Sequence, residues 1–383
     1  MKVVIVMPLA EQRGGAELAL LHLMQKGRTG NISWVVVFLE DGPMVEQVRA
    51  LGIDAYVVPS GRIRQPRRFC SAIVRIASLL RREQASLLFS WTGKAHLYGG
   101  AAAWLARVPS LRFQHAIPSQ KFWLDRMATL LPARVILTPS KTTREAQAAI
   151  WPRRPIRVVY PGVELDRFDP SSLPSPAEAR RQLGLPSTGP IVGIVGRLQR
   201  WKGIHVLIEA MPAVLQQYPD AHCVVVGGAH DLEADYPAYL EERIAGLRLS
   251  DRVLLAGLQR NVQAWMQAMD VIVHASKNEP FGIVVLEAMA LGKPVIAGDS
   301  GGPTEIITPN VNGMLTPYDD SQALARAILC YLDAPEIAAR LGTAARQRAL
   351  EFSTRRFAQN IIQILSEIAP ACRQAGNRLV TPH

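Results

Sequence analysis

The chain has 383 residues, of which 49% are hydrophobic and 20% are charged, and its net charge is +11. This length accommodates two domains with separate cores, and the composition is typical of a folded α/β protein, which excludes a disordered or fibrous chain. No apolar run reaches the roughly 18 residues that a membrane-spanning helix needs, and the apolar run at the start is too short for a secretory signal.

Short β-branched runs alternate with longer amphipathic stretches through the first half of the chain. This alternation is typical of parallel strands buried between helices. The predicted helices include Ala16–Gln25 and Phe69–Arg82. The predicted strands are Val3–Met7, Trp34–Leu39, Ala55–Val58, Ser86–Ser90, Leu111–Gln114, Val135–Thr138 and Val158–Val159.

A segment rich in proline and serine follows, and it is the best linker candidate in the chain. It covers residues 169–190, after which the strand–helix pattern begins again. The predicted strands of the second half are Ile191–Val195, His222–Val226, Val253–Ala256, Val271–His274 and Pro294–Ala297. We therefore expect two Rossmann-like, doubly wound parallel sheets, whose ligand-binding loops face each other across a cleft.

This pattern predicts the domain boundaries. Residues 1–168 form the first predicted domain, and residues 191–352 form the second. Residues 353–370, which contain the amphipathic stretch 354–368, are expected to form a helix that returns to the first domain. Residues 371–383 are expected to form a flexible tail.

Two cations stand on a glycine-bounded turn after the first strand of the second half. Gly196 to Gly203 reads GRLQRWKG, which places Arg197 and Lys202 directly after Ile191–Val195. An arginine fork, a mobile ammonium and the N-terminus of a following helix all favour a diphosphate. A basic surface turn is the alternative, whereas a P-loop is excluded because the chain has no G-x-x-x-x-G-K-[ST] motif.

Two carboxylates eight positions apart form the second candidate site. Glu279 lies in a predicted loop, and Glu287 lies within the apolar run Ile283–Ala290, where a carboxylate needs a partner. Glu287 could hold two ribose hydroxyls, while Glu279 and the N–H groups of Phe281 and Gly282 could contact a sugar. A salt bridge on a half-exposed helix is the alternative for Glu287. Together with the two cations, these carboxylates indicate a nucleotide-sugar site.

The first half has less specific candidates at its strand ends. Gly14 and Gly15 follow the first strand and open a helix, where glycine allows a ligand to approach the backbone, although packing explains such a pair equally well. His115 follows a strand and could hydrogen-bond a sugar hydroxyl or accept a proton. His96 has the same potential role. A structural role is the alternative for both histidines.

Three motifs, in this order and spacing, resemble retaining glycosyltransferases of family 4, which have the GT-B fold. They are Gly196-Arg-Leu-x-x-x-Lys-Gly203, Glu279-Pro-Phe-Gly-x-x-x-x-Glu287-Ala-Met-Ala and Gly301-Gly-x-x-Glu305. The second half of the chain matches almost throughout. The first half matches only in Gly14-Gly15-Ala-Glu17, in His115 and in the segment 158–163.

The resemblance implies a role for each of these residues. Arg197 and Lys202 would hold the donor diphosphate and neutralise the leaving group, Glu287 would bind the ribose, and Glu279 would bind the donor sugar. His115 would contact the transferred sugar, which makes it an expected catalytic residue beside Glu279, Arg197 and Lys202. The other donor contacts implied are at Gly14, Gly15, Gly196, Gly257, Leu258, Phe281 and Gly282, with Gly257 and Leu258 next to the base.

The reaction implied by the resemblance keeps the anomeric configuration, through same-face attack and an oxocarbenium-like state. It needs no metal, because the two cations replace one, and no cofactor besides the nucleotide-sugar donor. The carboxylates are binding groups here, so a glycosidase acid–base pair is not implied. Ala116 follows His115 where the family often has an acidic residue or Asn, which leaves the acceptor geometry near His115 open.

The positive charge is concentrated in the first half of the chain. Residues 1–170 hold 24 Lys and Arg against 12 Asp and Glu, a balance of +12, whereas the remainder holds 19 against 20. This asymmetry favours an anionic membrane surface, a lipid-phosphate acceptor or nucleic acid as a partner, with an ordinary basic surface as the alternative. An amphipathic stretch with Phe69, Ile73, Ile76 and Leu80, either core or membrane anchor, lies among Arg62, Arg64, Arg67, Arg68, Arg75, Arg81 and Arg82.

The four cysteines are far apart and form no C-x-x-C pair, which argues against a zinc site or a disulfide framework and for a reducing cytoplasm.

We expect a cytoplasmic glycosyltransferase that moves a sugar from a UDP- or GDP-linked donor. The expected acceptor is a lipid-linked or a polysaccharide or lipopolysaccharide-type precursor at the inner membrane face. A non-catalytic nucleotide-sugar binder and a transferase to a soluble small molecule are the alternatives. No nucleic-acid partner is expected, because interleaved aromatics and recognition motifs are missing.

Overall fold

The computed structural model describes residues 1–12, 14–28, 30–61 and 64–376, with side chains up to residue 369. This part of the chain divides into two compact units. Unit 1 comprises Met1–Gly162 and the C-terminal segment from Thr354, and unit 2 comprises Val163–Ser353.

Within the described residues, unit 1 contains one parallel sheet in the order β3-β2-β1-β4-β5-β6-β7. Its strands are β1 Lys2–Met7, β2 Ser33–Phe38, β3 Asp54–Val57, β4 Leu87–Ser90, β5 Ser110–Phe113, β6 Ile136–Thr138 and β7 Ile156–Val158. In register, Val3 pairs with Trp34 on one side and with Leu87 on the other.

Helices cover both faces of this sheet. They are α1 Gly15–Lys26, α2 Pro43–Ala50, α3 Pro66–Arg82, α4 Gly93–Ala106, α5 Trp123–Leu130 and α6 Lys141–Ala148. Side chains alternate along β1: Val3 and Ile5 join the core under α1 and α2, whereas Val4 and Val6 join the core under α3, α4 and α5. A strand buried on both faces reads as a continuous apolar run, which is why β1 could be predicted from sequence.

Unit 2 contains a second parallel sheet, in the order β10-β9-β8-β11-β12-β13. Its strands are β8 Ile191–Val195, β9 His222–Val226, β10 Val253–Leu255, β11 Val271–His274, β12 Val295–Gly298 and β13 Met314–Thr316. Its helices are α7 Pro176–Leu183, α8 Ile204–Gln217, α9 Tyr236–Gly246, α10 Val262–Ala268, α11 Ile283–Ala290, α12 Pro303–Ile306, α13 Ser321–Asp333 and α14 Pro335–Ala349. The predicted bounds of β8, β9 and β11 are confirmed, whereas the three-residue edge strand β13 was not predicted.

The units do not divide at the predicted linker. Residues 169–190 lie within unit 2, and the division falls between Gly162 and Val163 instead. Two side chains attach this segment to unit 2, since Asp169 accepts a hydrogen bond from Arg346 at 2.8 Å and Arg180 donates to Asp270 at 2.5 Å. Proline and serine therefore mark turns here, and long-range ion pairs decide to which unit the segment belongs.

The last helix, α15 Thr354–Gly376, belongs to unit 1 and packs against α1. Phe357, Ile361 and Leu365 are buried at helical spacing in the same core as α1, as expected for a helix that returns to the first domain. The predicted flexible tail, residues 371–383, begins inside this helix, and residues 377–383 lie outside the described residues. Arg62 and Ile63 also lie outside them.

Candidate active site

The strand order of unit 2 changes direction between β8 and β11, which are hydrogen-bonded neighbours. In open parallel sheets, ligands bind beyond the carboxyl ends of the strands at such a switch point. The loop after β8 carries Arg197 and Lys202, and the loop after β11 carries Glu279. Lys202 and Glu279, 77 positions apart in the chain, thus meet at one edge of the sheet.

Glycines allow the loops at this edge to pack closely. Gly203 has φ of +69°, and a Cβ atom there would lie 2.1 Å from the carbonyl oxygen of Ala275. Gly301 has φ of +79°, and a Cβ atom there would lie 2.3 Å from the carbonyl oxygen of Glu279. Both positions therefore require glycine. Gly302 N–H also donates to the Glu279 carbonyl at 2.7 Å, so the predicted Gly301-Gly302 motif supports the Glu279 loop.

Lys202 and Glu279 form a buried ion pair. Nζ of Lys202 lies 2.6 Å from Oε2 of Glu279, and each side chain is 12% exposed. Nε2 of His274, the last residue of β11, lies 3.1 Å from the same oxygen. Burial alone would raise the pKa of Glu279, but the Lys202 ammonium and the His274 hydrogen bond outweigh it and hold that pKa well below its usual range. Glu279 is therefore ionised at neutral pH.

His274 orients this carboxylate. Burial lowers the pKa of His274, and its contact with Glu279 offsets that effect only in part, so the imidazole is neutral at pH 7. An ionised carboxylate can only accept hydrogen bonds. Nε2 of His274 therefore carries the ring proton and donates a hydrogen bond to Glu279. His274 belongs to none of the predicted site motifs. Its position as the last residue of a predicted strand, directly before the loop that carries Glu279, was the signal that could have identified it.

Arg197 follows β8 directly and is half-buried. Among the residues that the structure describes, its guanidinium has no ion-pair partner, in contrast to Lys202. The Lys202 ammonium also lies 4.1 Å from the centre of the Trp201 ring, a favourable cation–π contact. The loop after β8 also carries the exposed Arg200, which pairs with Asp235. Of the two predicted cations in this loop, Arg197 and Lys202, only Lys202 is neutralised by Glu279 among the described residues.

Glu287 is the fifth residue of α11 and is 9% exposed. In the described part of the chain, its carboxyl group has no hydrogen-bond partner. Burial raises the pKa of Glu287 to about 8; the nearby Arg167 lowers it and Glu164 raises it further. Such a group is costly in the folded protein and is satisfied by a ligand that supplies hydroxyls.

The predicted backbone contacts lie along the same edge. The Phe281 side chain is buried against Phe352, with ring centres 6.0 Å apart, so Phe281 can offer a ligand only its backbone. Gly282, with φ of +102°, caps the N-terminus of α11. The loops after β8, β9 and β10 contact one another in that order. Gly227 packs on the Gly196 carbonyl, and its N–H donates to the Gly257 carbonyl at 2.9 Å. Leu258, next to Gly257, is exposed.

In unit 1, the predicted residues lie around an aromatic cluster. Gly14 is the N-cap of α1, which begins at Gly15, and Trp91 donates to the carbonyl of Ala16 at 2.7 Å. The His115 ring stacks on Phe113 at 4.0 Å and lies 5.3 Å from Trp91. Burial lowers the pKa of His115 to about 3, so its imidazole is neutral and cannot donate a proton as an imidazolium at neutral pH.

His96 is not a candidate of the same kind. It lies inside α4, is fully buried, and its Nδ1 is 3.0 Å from the hydroxyl of Ser90. A Cβ atom on Gly100 would meet its ring at 2.8 Å, so the histidine is wedged between helix and sheet. The structural role left open for His96 therefore fits best.

Among the described residues, no group of three or more His, Cys, Asp or Glu side chains is placed to hold a metal ion.

Both halves of the chain match family models. Residues 13–167 match Glycosyltransferase Family 4, and residues 176–348 match Glycosyl transferases group 1. One curated relative is the D-inositol 3-phosphate glycosyltransferase of Corynebacterium urealyticum, which is 34% identical over 55% of this chain and 50% of the relative. Another is the lipopolysaccharide core biosynthesis mannosyltransferase LpsB of Rhizobium meliloti, which is 31% identical over 56% of this chain and 61% of the relative. The chain thus spans about half the length of the curated relatives it matches.

A solved structure resembles the whole chain. The crystal structure of Anabaena Alr3699/HepE in complex with UDP and glucose has a TM-score of 0.85 and 29% identity, covering 96% of this chain and 99% of that one. Two parallel sheets flanked by helices are the GT-B fold, and this fold defines the class of the protein. The chain belongs to the family 4 glycosyltransferases.

Proposed function

We propose that this protein is a retaining glycosyltransferase that takes its sugar from a UDP-linked donor. The observation that carries the proposal is the edge of the second sheet. There Lys202, paired with Glu279, follows Arg197 in the same loop, and neither the Arg197 guanidinium nor the buried Glu287 carboxyl group of α11 has a partner among the described residues. UDP is favoured over GDP because the similar HepE structure holds UDP and glucose. A GDP-linked sugar is the alternative donor.

The donor diphosphate would bind between Arg197 and Lys202. The Lys202 ammonium has three N–H donors, so it can keep its bond to Glu279 and contact a phosphate oxygen at the same time. Arg197 has a planar guanidinium suited to two phosphate oxygens. The two cations would then stabilise the negative charge that develops on the departing diphosphate without a bound metal ion.

The two carboxylates would bind the rings on either side of the diphosphate. Glu287 would accept hydrogen bonds from the two ribose hydroxyls or donate to them, which would satisfy a buried carboxyl group that has no hydrogen-bond partner among the described residues. Glu279, held by Lys202 and His274, would bind hydroxyls of the donor sugar. Because His274 keeps Glu279 in one orientation, we assign it a positioning role.

The reaction would proceed on one face of the donor sugar. The bond from the anomeric carbon to the diphosphate breaks, an oxocarbenium-like state forms, and an acceptor hydroxyl attacks the face that the leaving group has left, while the hydroxyl proton passes to the departing diphosphate oxygen. The configuration at the anomeric carbon is thereby kept. His115, neutral and half-buried, would act as a hydrogen-bonding contact of the transferred sugar.

The acceptor would bind to unit 1, whose surface carries most of the positive charge. A lipopolysaccharide-type acceptor agrees with the lipopolysaccharide core biosynthesis of the LpsB relative, and a soluble phosphorylated small molecule agrees with the D-inositol 3-phosphate glycosyltransferase relative. Both acceptors are anionic. We favour a lipid-linked acceptor at a membrane face, because α5 of unit 1 exposes apolar side chains next to Lys121 and Arg126.

Donor binding and turnover test this proposal separately. A thermal-shift screen with UDP, GDP, ADP and their sugars should show stabilisation by UDP and UDP-sugars above all. Release of UDP from the matching donor should then be measured with and without acceptor glycans. Stabilisation without any turnover would favour the non-catalytic binder, and no stabilisation by any nucleotide would contradict the proposed site.

A further inference from the structure

Most of the large apolar side chains that the described part of unit 1 exposes lie on or near α5, with Val74 on α3 as the exception. Trp123, Met127 and Leu130 recur at the spacing of one helix face and are 56%, 46% and 44% exposed, and Phe122 before the helix is 50% exposed. We define the α5 face as these four residues. A soluble surface seldom displays a contiguous aromatic and aliphatic row of this kind without a partner.

Two neighbouring segments extend this apolar surface. Arg154 donates to the carbonyl of Leu130 at 3.1 Å, and Gln120 donates to the carbonyl of Ala149 at 2.8 Å, which together hold the Trp151 loop beside α5. Trp151 is 75% exposed. On the other side α4 packs against α5, and its Trp104 is 73% exposed.

The surroundings of the α5 face are cationic. Residues 104–154 contain nine Lys and Arg and only two acidic residues, Asp125 and Glu145. Lys121 and Arg126 lie on α5 or directly before it, and both are exposed, as are Arg107, Arg134 and Arg153. An apolar row framed by Lys and Arg, with tryptophans at its border, has the chemistry of a helix that lies in the headgroup region of an anionic bilayer.

The arginine-rich helix α3 is the other candidate from the sequence, and the structure decides against its apolar side. Ile76 and Leu80 are fully buried, and Phe69 packs on Tyr98 with ring centres 4.7 Å apart. These residues therefore belong to the core under α3 and α4. The arginines of α3 can add long-range attraction to anionic lipid, but α3 has no comparable apolar row to insert.

We infer that the α5 face docks unit 1 on an anionic lipid bilayer, with Trp123, Met127 and Leu130 entering the headgroup region while Lys121 and Arg126 contact lipid phosphates. The inference extends the proposed function, because a lipid-linked acceptor would lie at this surface. Lipid binding can be measured without donor or acceptor, so it can fail or hold independently of transferase activity.

The test is co-sedimentation of the full chain with vesicles of phosphatidylcholine alone and of phosphatidylcholine with phosphatidylglycerol. The wild type should bind the anionic vesicles and not the neutral ones, and added salt should weaken binding. The double variant Trp123→Glu/Met127→Glu should lower the partition coefficient by about tenfold or more, because two carboxylates then face the lipid.

The matched control is Leu232→Glu/Val311→Glu, which adds the same charge at two exposed apolar positions of unit 2. It should bind anionic vesicles like the wild type, and both double variants should keep the wild-type melting temperature and donor turnover. The variant Lys121→Glu/Arg126→Glu should weaken binding to anionic vesicles.

Three results would overturn the inference. The first is no binding of the wild type to anionic vesicles. The second is loss of binding in Arg75→Glu/Arg81→Glu but not in Trp123→Glu/Met127→Glu, which would assign the contact to α3. The third is a wild-type dimer, measured by sedimentation, that Trp123→Glu/Met127→Glu converts to a monomer while lipid binding is unchanged, which would assign the α5 face to a second copy of the chain.

Discussion

The first six strands of unit 1 and the six strands of unit 2 follow the same order, yet the side chains at the carboxyl edges of the two sheets differ in kind. In unit 2, an ionised pair, Lys202 and Glu279, shares this edge with Arg197, which has no ion-pair partner in the described part of the chain. In unit 1, the corresponding edge presents a neutral His115 stacked among Phe113 and Trp91. The same topology therefore supports a charged site in one unit and an uncharged aromatic site in the other.

Net charge does not follow this difference. Residues 1–170 carry a balance of +12 and the remainder is nearly neutral, but the cation-rich candidate site lies in the nearly neutral part. The excess charge of unit 1 is spread over its helices and loops, where it can attract an anionic surface or acceptor. Site chemistry depends instead on which loops leave adjacent strands.

The largest effect is expected at Lys202. Lys202→Ala removes a cation from the proposed leaving group, and turnover should fall by roughly a hundredfold to a thousandfold. It also leaves Glu279 buried with only His274, so the free energy of unfolding should fall by about 3 kcal/mol. Lys277→Ala, an exposed lysine of the β11 loop, is the control. Wild-type turnover in Lys202→Ala would contradict the proposed role of Lys202 at the leaving group.

Removal of the buried Glu287 carboxyl group should weaken the binding of UDP. Glu287→Gln is expected to weaken the affinity for UDP by roughly tenfold to a hundredfold, since the two hydrogen bonds to the ribose hydroxyls contribute about 0.5–1.5 kcal/mol each. Isothermal titration with UDP measures this directly, and Glu242→Gln on the exposed face of α9 provides the control. Unchanged affinity in Glu287→Gln would separate Glu287 from the nucleotide.

A smaller effect is expected from the positioning residue. His274→Ala frees the Glu279 carboxylate from one of its two partners, and we expect turnover to fall by about tenfold, with little change in the affinity for UDP. His274→Asn, which keeps an N–H donor, should restore part of the turnover. Equal losses in both variants would indicate a packing role for His274 and not a role in orienting Glu279.

Stability should depend on pH through Glu287. Its pKa is about 8 in the folded protein against an ordinary value of 4.5, so the folded state holds a proton that the unfolded state has lost between these values. The free energy of unfolding therefore falls as pH rises through this window, by about 1 kcal/mol per pH unit from this group. Urea unfolding of the wild type and Glu287→Gln, from about pH 5 to about pH 8, should show that slope in the difference between the two free energies of unfolding, because the histidines with lowered pKa contribute equally to both proteins.

The smallest effect is expected at His115. Since burial lowers the pKa of His115 to about 3, its imidazole should show no titration in NMR spectra from about pH 5 to about pH 8. The pH profile of turnover should be the same in His115→Gln as in the wild type, even if the rate is lower. Titration of His115 near its ordinary pKa would mean that the ring is accessible to water, and the contrast between the two edges would be lost.

The local features of this protein were predictable from its sequence because they depend on short-range chemistry. Continuous apolar runs marked the buried strands, and glycines and cations marked the turns after them. The resemblance added the order of the motifs and therefore the GT-B fold. The linker was harder, because its attachment depends on Asp169 and Arg346, which are 177 positions apart.

What the sequence determined by itself was which residue types follow each strand: Arg197 and Lys202 after β8, and Glu279 after β11. Only the tertiary structure decided that Lys202 and Glu279 form one buried ion pair and that His274 joins it. It also decided that the apolar side of α3 lies in the core, whereas the α5 face is exposed. The physical reason is that β8 and β11 are neighbours in the sheet but not in the chain. A sequence pattern shows which side chains one face of a helix or strand carries, whereas tertiary packing decides whether that face contacts the core or the solvent.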